Sequence, residues 1–154
     1  MKITTICFPL HEGKIFLSRK KIDFGKGFLN GYGGKQELSD MSIEDAAVRE
    51  LQEECAITAL PNNLEKVAVI DFFEGKVHLF ECHIFFCTEW SGEFCESEEM
   101  ALAQPYDISN PPYAEMWSGD IVWLPLLFSG QKIKARLYYN EGMTKQTKFE
   151  HEPL

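Results

Sequence analysis

Two strongly apolar segments, residues 66–73 and 77–88, are separated only by Glu74-Gly75-Lys76. β-Branched and aromatic side chains are frequent in both, and a glycine sits in the short connection, so the pair predicts a long central hairpin. So apolar a hairpin needs other elements packed against it. Residues 3–10 and 14–19, flanking His11-Glu12-Gly13, predict another hairpin. Residues 133–139 and 143–149 predict a last one around Asn140-Glu141-Gly142. A helix is expected from Ser42, with Asp45 completing a capping box, to about Ile57, and a second lies within residues 116–128. Residues 105–112 read as irregular. The sum is an α+β sandwich: two helices packed on a mixed, mostly antiparallel sheet. With 154 residues, 45% hydrophobic and 13% aromatic, the whole chain, 1–154, suits one domain with a full-sized core.

Composition narrows the function. The formal net charge of −9, with no basic cluster, argues against a nucleic acid polymer as partner. The apolar runs fall short of the roughly 20 residues that span a bilayer, so no membrane role is expected. Five scattered cysteines without a CxxC pair argue for reduced thiols and a cytoplasmic location. The four histidines show no ligand spacing; His78 and His83 fall on opposite faces of one strand.

The first helix carries the chemical signal. In Arg49-Glu50-Leu51-Gln52-Glu53-Glu54, the three glutamates share an arc of roughly 100°. Like charges at that spacing each cost a helix roughly 0.2–0.5 kcal/mol, and only Arg49 offers local relief. Three hard oxygen donors on a rigid rod suit Mg²⁺, with Mn²⁺ as an alternative. The competing reading is a solvated acidic face. Val48, Leu51 and Cys55 are assigned to the core, while Ala46 and Ala47 line the glutamate face and leave room for a loop or ligand. Upstream, residues 24–35 hold five glycines in twelve positions, a loop shaped by backbone needs that includes a short strand between Phe28 and Tyr32.

Gly33-Gly34-Lys35, the capped helix start and Arg49-Glu50-Leu51-x-Glu53-Glu54, with Ile57 beyond, together resemble the Nudix box, here about residues 34–57. There are departures. Asp40 stands where the box has Glu, eight residues rather than seven separate it from Arg49, and Ala56 replaces a glycine. The resemblance implies an α/β/α sandwich with a mixed central sheet. It also implies Mg²⁺ ions held against a polyphosphate and a water activated to attack phosphorus. By the resemblance, Glu50, Glu53, Glu54, the Gly33 carbonyl and Glu99 are metal ligands, with Glu98 as Glu99's rival. Glu50 and Glu53 are catalytic, Arg49 orients the glutamates, and Gly34, Lys35 and Lys20 lie near substrate.

Beyond the box, residues 24–35, 83–100 and 113–128 resemble the branch of that family that hydrolyses oxidised purine nucleoside triphosphates such as 8-oxo-dGTP to the monophosphate and pyrophosphate. The implied base pocket has Asn30 contacting the base, Trp117 stacking on it, Thr5, Ile6, Phe24 and Phe72 lining it, and Tyr32, Ser118, Gly119 and Asp120 contributing. That branch has two adjacent aspartates where this chain reads Gly119-Asp120, which predicts a narrower or shifted base preference with purine triphosphates retained. A monomer acting on a small-molecule nucleotide is expected. The alternatives are a Nudix hydrolase of another nucleoside diphosphate derivative, such as a nucleotide sugar or dinucleoside polyphosphate, and a catalytically silent nucleotide-binding module.

Overall fold

A computed structural model describes residues 2–154. Eight strands, β1 (Ile3–His11), β2 (Lys14–Arg19), β3 (Leu29–Asn30), β4 (Leu64–Glu74), β5 (Val77–Cys87), β6 (Gln104–Asp107), β7 (Ile133–Tyr139) and β8 (Gln146–Pro153), form one mixed sheet. Its order is β3-β2-β1-β5-β4-β7-β8, with β6 also paired to β2. The predicted hairpins β1–β2, β4–β5 and β7–β8 are all present and antiparallel. They are knitted together by two parallel pairs, β1 with β5 and β4 with β7.

Successive strand side chains point to opposite faces, so the sheet serves two cores at once. On β1, Cys7 joins one cluster and Phe8 the other; on β5, Phe85 and Ile84 divide likewise. Helix α1 (Ile43–Cys55) covers the Cys7 face through Ala47, Leu51 and Cys55. Helix α2 (Asp120–Phe128) covers the Phe8 face through Trp123, Leu124 and Leu127. This is the expected α+β sandwich.

Helix α1 starts where the sequence places it. Ser42 is extended and its hydroxyl accepts the Asp45 N–H at 3.0 Å, while Glu44 and Asp45 put negative charge against the positive end of the helix dipole. It ends two residues short of Ile57, because Ala56 turns left-handed at φ 69° and donates its N–H to the Gln52 carbonyl. A left-handed alanine costs about 1–2 kcal/mol that the missing glycine would have spared.

Three local expectations are corrected. Residues 104–107, which overlap the start of the stretch read as irregular, form edge strand β6, where Pro105 is tolerated and Lys14 pairs with Asp107. The last hairpin has a longer loop, since the Asn140 side chain accepts N–H groups from Thr144 and Lys145 and delays β8 to Gln146. Ala46 and Ala47 are fully buried, and Val48 is only partly so. The small residues therefore let the helix approach the sheet, not a ligand approach the glutamates. His78 and His83 bond to Asp71 and Glu81, each at 2.8 Å. Among the described residues all five cysteines are free, and no helix is long and apolar enough to cross a membrane.

Candidate active site

The glycine-rich loop reaches α1 by running against β1. Thr5 donates its N–H to the Gly34 carbonyl at 2.9 Å, and a Cβ on Gly33 would fall 1.7 Å from the Thr5 carbonyl oxygen, so only glycine fits there. That closeness aims the Gly33 N–H at Glu54 Oε1, 2.8 Å away. Arg49 ties the rest together. Its Nε and Nη2 donate to the two oxygens of Asp40 at 3.0 and 3.1 Å, a bidentate fork. Nη1 donates to Glu50 at 3.0 Å and to Glu53 at 3.2 Å, and Nη2 also reaches the Lys35 carbonyl. Asp40 thus holds the arginine that holds two of the glutamates. The extra residue is absorbed in the loop around it, where Leu38 and Met41 stand in solvent.

The four carboxylates differ sharply in environment. Glu54 is buried, and its Oε2 finds no hydrogen-bond donor. Burial first, and the adjoining Glu99 carboxyl second, push its pKa up to about 9. Burial also raises Glu50 against the opposing pull of Arg49, whereas contact with Glu54 and Lys20 lowers the more open Glu99. Glu53 is the most exposed of the set, its carboxylate turned to Arg49. The Lys20 ammonium lies 3.2 Å from Glu99 Oε2 and 4.0 Å from Glu54 Oε2. Among the described residues, no three acidic, histidine or cysteine side chains converge closely enough to hold an ion as they stand. The donors nevertheless fit a hard divalent cation: all are oxygens, one buried carboxylate oxygen is orphaned, and the crowded negative charge meets a lysine, an arginine and one backbone N–H.

From Glu54 a cleft continues between the sheet and the segment before α2. Trp117 forms one wall, with ring centroids 5.0 Å from Phe24 and 4.8 Å from Phe28, both at tilted angles. Phe72 and Phe80, cross-strand partners 5.0 Å apart, form another. Aromatic walls suit a flat ring. The polar groups are few. Asn30 accepts the Gly31 N–H with its side-chain oxygen and lines the cleft. Asp120 is buried, has an unpartnered Oδ2, and burial pushes its pKa up to about 8.

Of the residues singled out from the sequence, Thr5, Ile6, Lys20, Phe24, Asn30, Gly34, Lys35, Glu54, Phe72, Trp117 and Asp120 line this one cleft. Tyr32 does not: it is fully buried in the core beneath α1, its hydroxyl 2.6 Å from that of Ser18. Gly33 and Gly119 lie behind the wall, and the Ser118 hydroxyl accepts the Gln146 N–H at 2.7 Å. Glu53 is exposed beside the acidic end, with its carboxylate on Arg49. The sequence reading missed Phe80, Tyr139, Met100 and Met143. Phe80 was hidden by a bulge: pairing outward from Gly75 sets Phe72 opposite Leu79, and the irregularity between Phe72 and Phe73 puts it opposite Phe80 instead.

Comparison with known proteins agrees with this architecture. Residues 2–122 match the model of the NUDIX domain. The chain is 39% identical over 132 residues to the oxidized purine nucleoside triphosphate hydrolase of Danio rerio, covering 85% of this chain and 82% of that protein. It is 37% identical over 144 residues to the Mus musculus protein of the same name, covering 93% and 90%. The crystal structure of a mutator MutT protein from Bacillus halodurans superimposes with a TM-score of 0.83 over 100% of this chain and 99% of that one, at 21% identity. That last likeness speaks for the fold alone.

Proposed function

This chain belongs to the NUDIX family, and from that premise we propose that it is a Mg²⁺-dependent pyrophosphohydrolase of oxidised purine nucleoside triphosphates, 8-oxo-dGTP among them. The products are the nucleoside monophosphate and pyrophosphate, and the role is removal of damaged precursors from the cytoplasmic nucleotide pool. The observation that carries this reading is the continuity of the cleft: a buried carboxylate with an orphaned oxygen, Glu54, and an aromatic slot ending at Asp120 line the same cavity. Such a cavity has one end for charge and one for a planar ring.

Nudix hydrolases as a family generally need divalent cations. Here Glu50, Glu53, Glu54, Glu99 and the Gly33 carbonyl are the groups assigned to hold Mg²⁺, or Mn²⁺, which when bound supplies charge neutralisation for the phosphates and a more acidic water. The protein's own contributions follow from the geometry. Arg49, fixed by Asp40, orients Glu50 and Glu53. Glu50, its carboxyl raised by burial, is suited to take a proton from the attacking water. Lys20 and Lys35 line the cleft near Glu54 and offer positive charge to the triphosphate. Trp117 stacks on the base, and Asn30 and Asp120 read its edge. Since Asp40 engages Arg49 with both oxygens, the altered box spacing lends no support to a catalytically silent module.

The test is a panel of 8-oxo-dGTP, 2-oxo-dATP, dGTP, a nucleotide sugar and a dinucleoside polyphosphate, assayed with Mg²⁺ and with products identified. Release of pyrophosphate from the oxidised triphosphates at the highest kcat/KM is the expected result. A preference for the sugar or dinucleoside compound would replace this substrate class with another.

A further inference from the structure

Gly119 precedes α2 with φ −81° and ψ −13°, a conformation open to any residue. What requires glycine there is space. A Cβ at Gly119 would lie 2.6 Å from the Tyr139 hydroxyl oxygen and 2.6 Å from Leu137 Cδ2. Tyr139 closes β7, is 1% exposed and stands edge-on to Trp117 at 5.8 Å between ring centroids. Its hydroxyl oxygen accepts the Gly119 N–H at 3.0 Å, and the residue lines the same cleft as Trp117 and Asp120. Among the described residues no hydrogen bond of 3.5 Å or less uses the tyrosine's own proton; its side-chain neighbour is the Ser118 hydroxyl, which accepts the Gln146 N–H and is the group a ligand would have to replace as partner of that proton. A phenol whose acceptor position is taken by a backbone N–H has one thing left to offer, its O–H.

We propose that the Tyr139 hydroxyl, seated in the notch that Gly119 leaves, is a base-selecting donor beside Asp120, favouring purines with a carbonyl oxygen at position 6 over purines with an amino group there. This rests on the cleft being the base site. The logic is one of fixed against adjustable polarity. Two adjoining carboxyls can share a proton and so offer a donor or an acceptor as the base demands. A buried phenol stays protonated, so it meets a carbonyl with a hydrogen bond and an amino group with two donors facing each other. Leaving a buried polar group of the ligand unpaired costs about ten- to a hundredfold in affinity.

Binding of 8-oxo-dGMP and 2-oxo-dAMP, measured by calorimetry in EDTA, tests this without any call on hydrolysis. The wild-type chain is expected to prefer 8-oxo-dGMP. Tyr139→Phe should weaken 8-oxo-dGMP about ten- to a hundredfold and leave 2-oxo-dAMP within about threefold. Gly119→Ala, which keeps the phenol but displaces it, should move the ratio of the two affinities the same way. Equal weakening of both ligands would mean that the hydroxyl merely supports the start of α2. That result, no change for either ligand, or no binding of either by the wild type would each overturn the inference. Selective binding by a chain that hydrolyses neither triphosphate would uphold it and sink the hydrolase reading instead.

Discussion

The acidic end of the cleft takes Gly33, Asp40, Arg49, Glu50, Glu53 and Glu54 from one short stretch of chain and adds Lys20 and Glu99. The apolar end collects Thr5 and Ile6 from β1, Phe24 from a loop, Asn30 from β3, Phe72 from β4, Phe80 from β5, Trp117 and Asp120 around α2, and Tyr139 from β7. One end is a local motif and the other a product of the whole sheet. Charge must be held at short, fixed spacing, which a loop and a helix supply on their own. A slot for a planar ring needs walls from opposite directions, which only tertiary packing provides.

Single substitutions at the two ends should fail in different ways. The largest effect is expected for Glu53→Gln: kcat should fall on the order of 10²–10⁴-fold, the scale of losing a group that acts on the reacting water. The thermal midpoint should hold, because this side chain is exposed and its partner Arg49 keeps Asp40 and Glu50. Steady-state kinetics beside a melting curve would check both, and unchanged turnover would remove Glu53 from the site. Trp117→Ala should do the reverse. Losing one aromatic stack of about 1–3 kcal/mol raises KM about 5- to 150-fold. If stacking acts equally on substrate and transition state, kcat stays close to the wild-type value. A loss confined to kcat would mean the two ends are not separable.

The remaining prediction concerns stability. Burial raises Asp120 to about 8, so between the ordinary carboxylate range and that value the folded chain binds a proton that the unfolded chain has released. The unfolded state then holds fewer protons, and stability falls as pH rises from about 4 to about 8. Glu54, raised to about 9, acts in the same direction. The urea midpoint should therefore be higher at pH 5 than at pH 8, and Asp120→Asn should shrink the difference without abolishing it. An unaltered slope in that variant would show that Asp120 is charged when folded.

The same division explains what could be read from the sequence. The capped helix start, its glutamates and the first two hairpins depend on neighbours a few positions apart and lie where periodicity and turn chemistry put them, while the last hairpin keeps its pairing but begins its second strand three residues late. Asp40 looked misplaced because spacing stood in for a contact; a shorter acid on a longer loop reaches the same arginine. Tyr32 belongs to the base pocket by the resemblance alone; its backbone pairs with Cys7 of β1 and its ring packs into the core beneath α1. Tyr139 could not be found at all. Its meeting with Gly119 follows from the packing of α2 on β7, for which no local pattern exists.

The two parallel pairs carry a consequence for how the molecule acquires its activity. β1 with β5 and β4 with β7 join strands far apart along the chain, and Thr5, Ile6, Phe72, Phe80 and Tyr139 of the aromatic slot hang from those four strands. Closing such long loops is paid in chain entropy before the contacts repay it, so these pairings are slow steps. During refolding, helix α1 and the local hairpins will form ahead of any capacity to grip a nucleobase, and ligand recognition will be among the last properties to emerge.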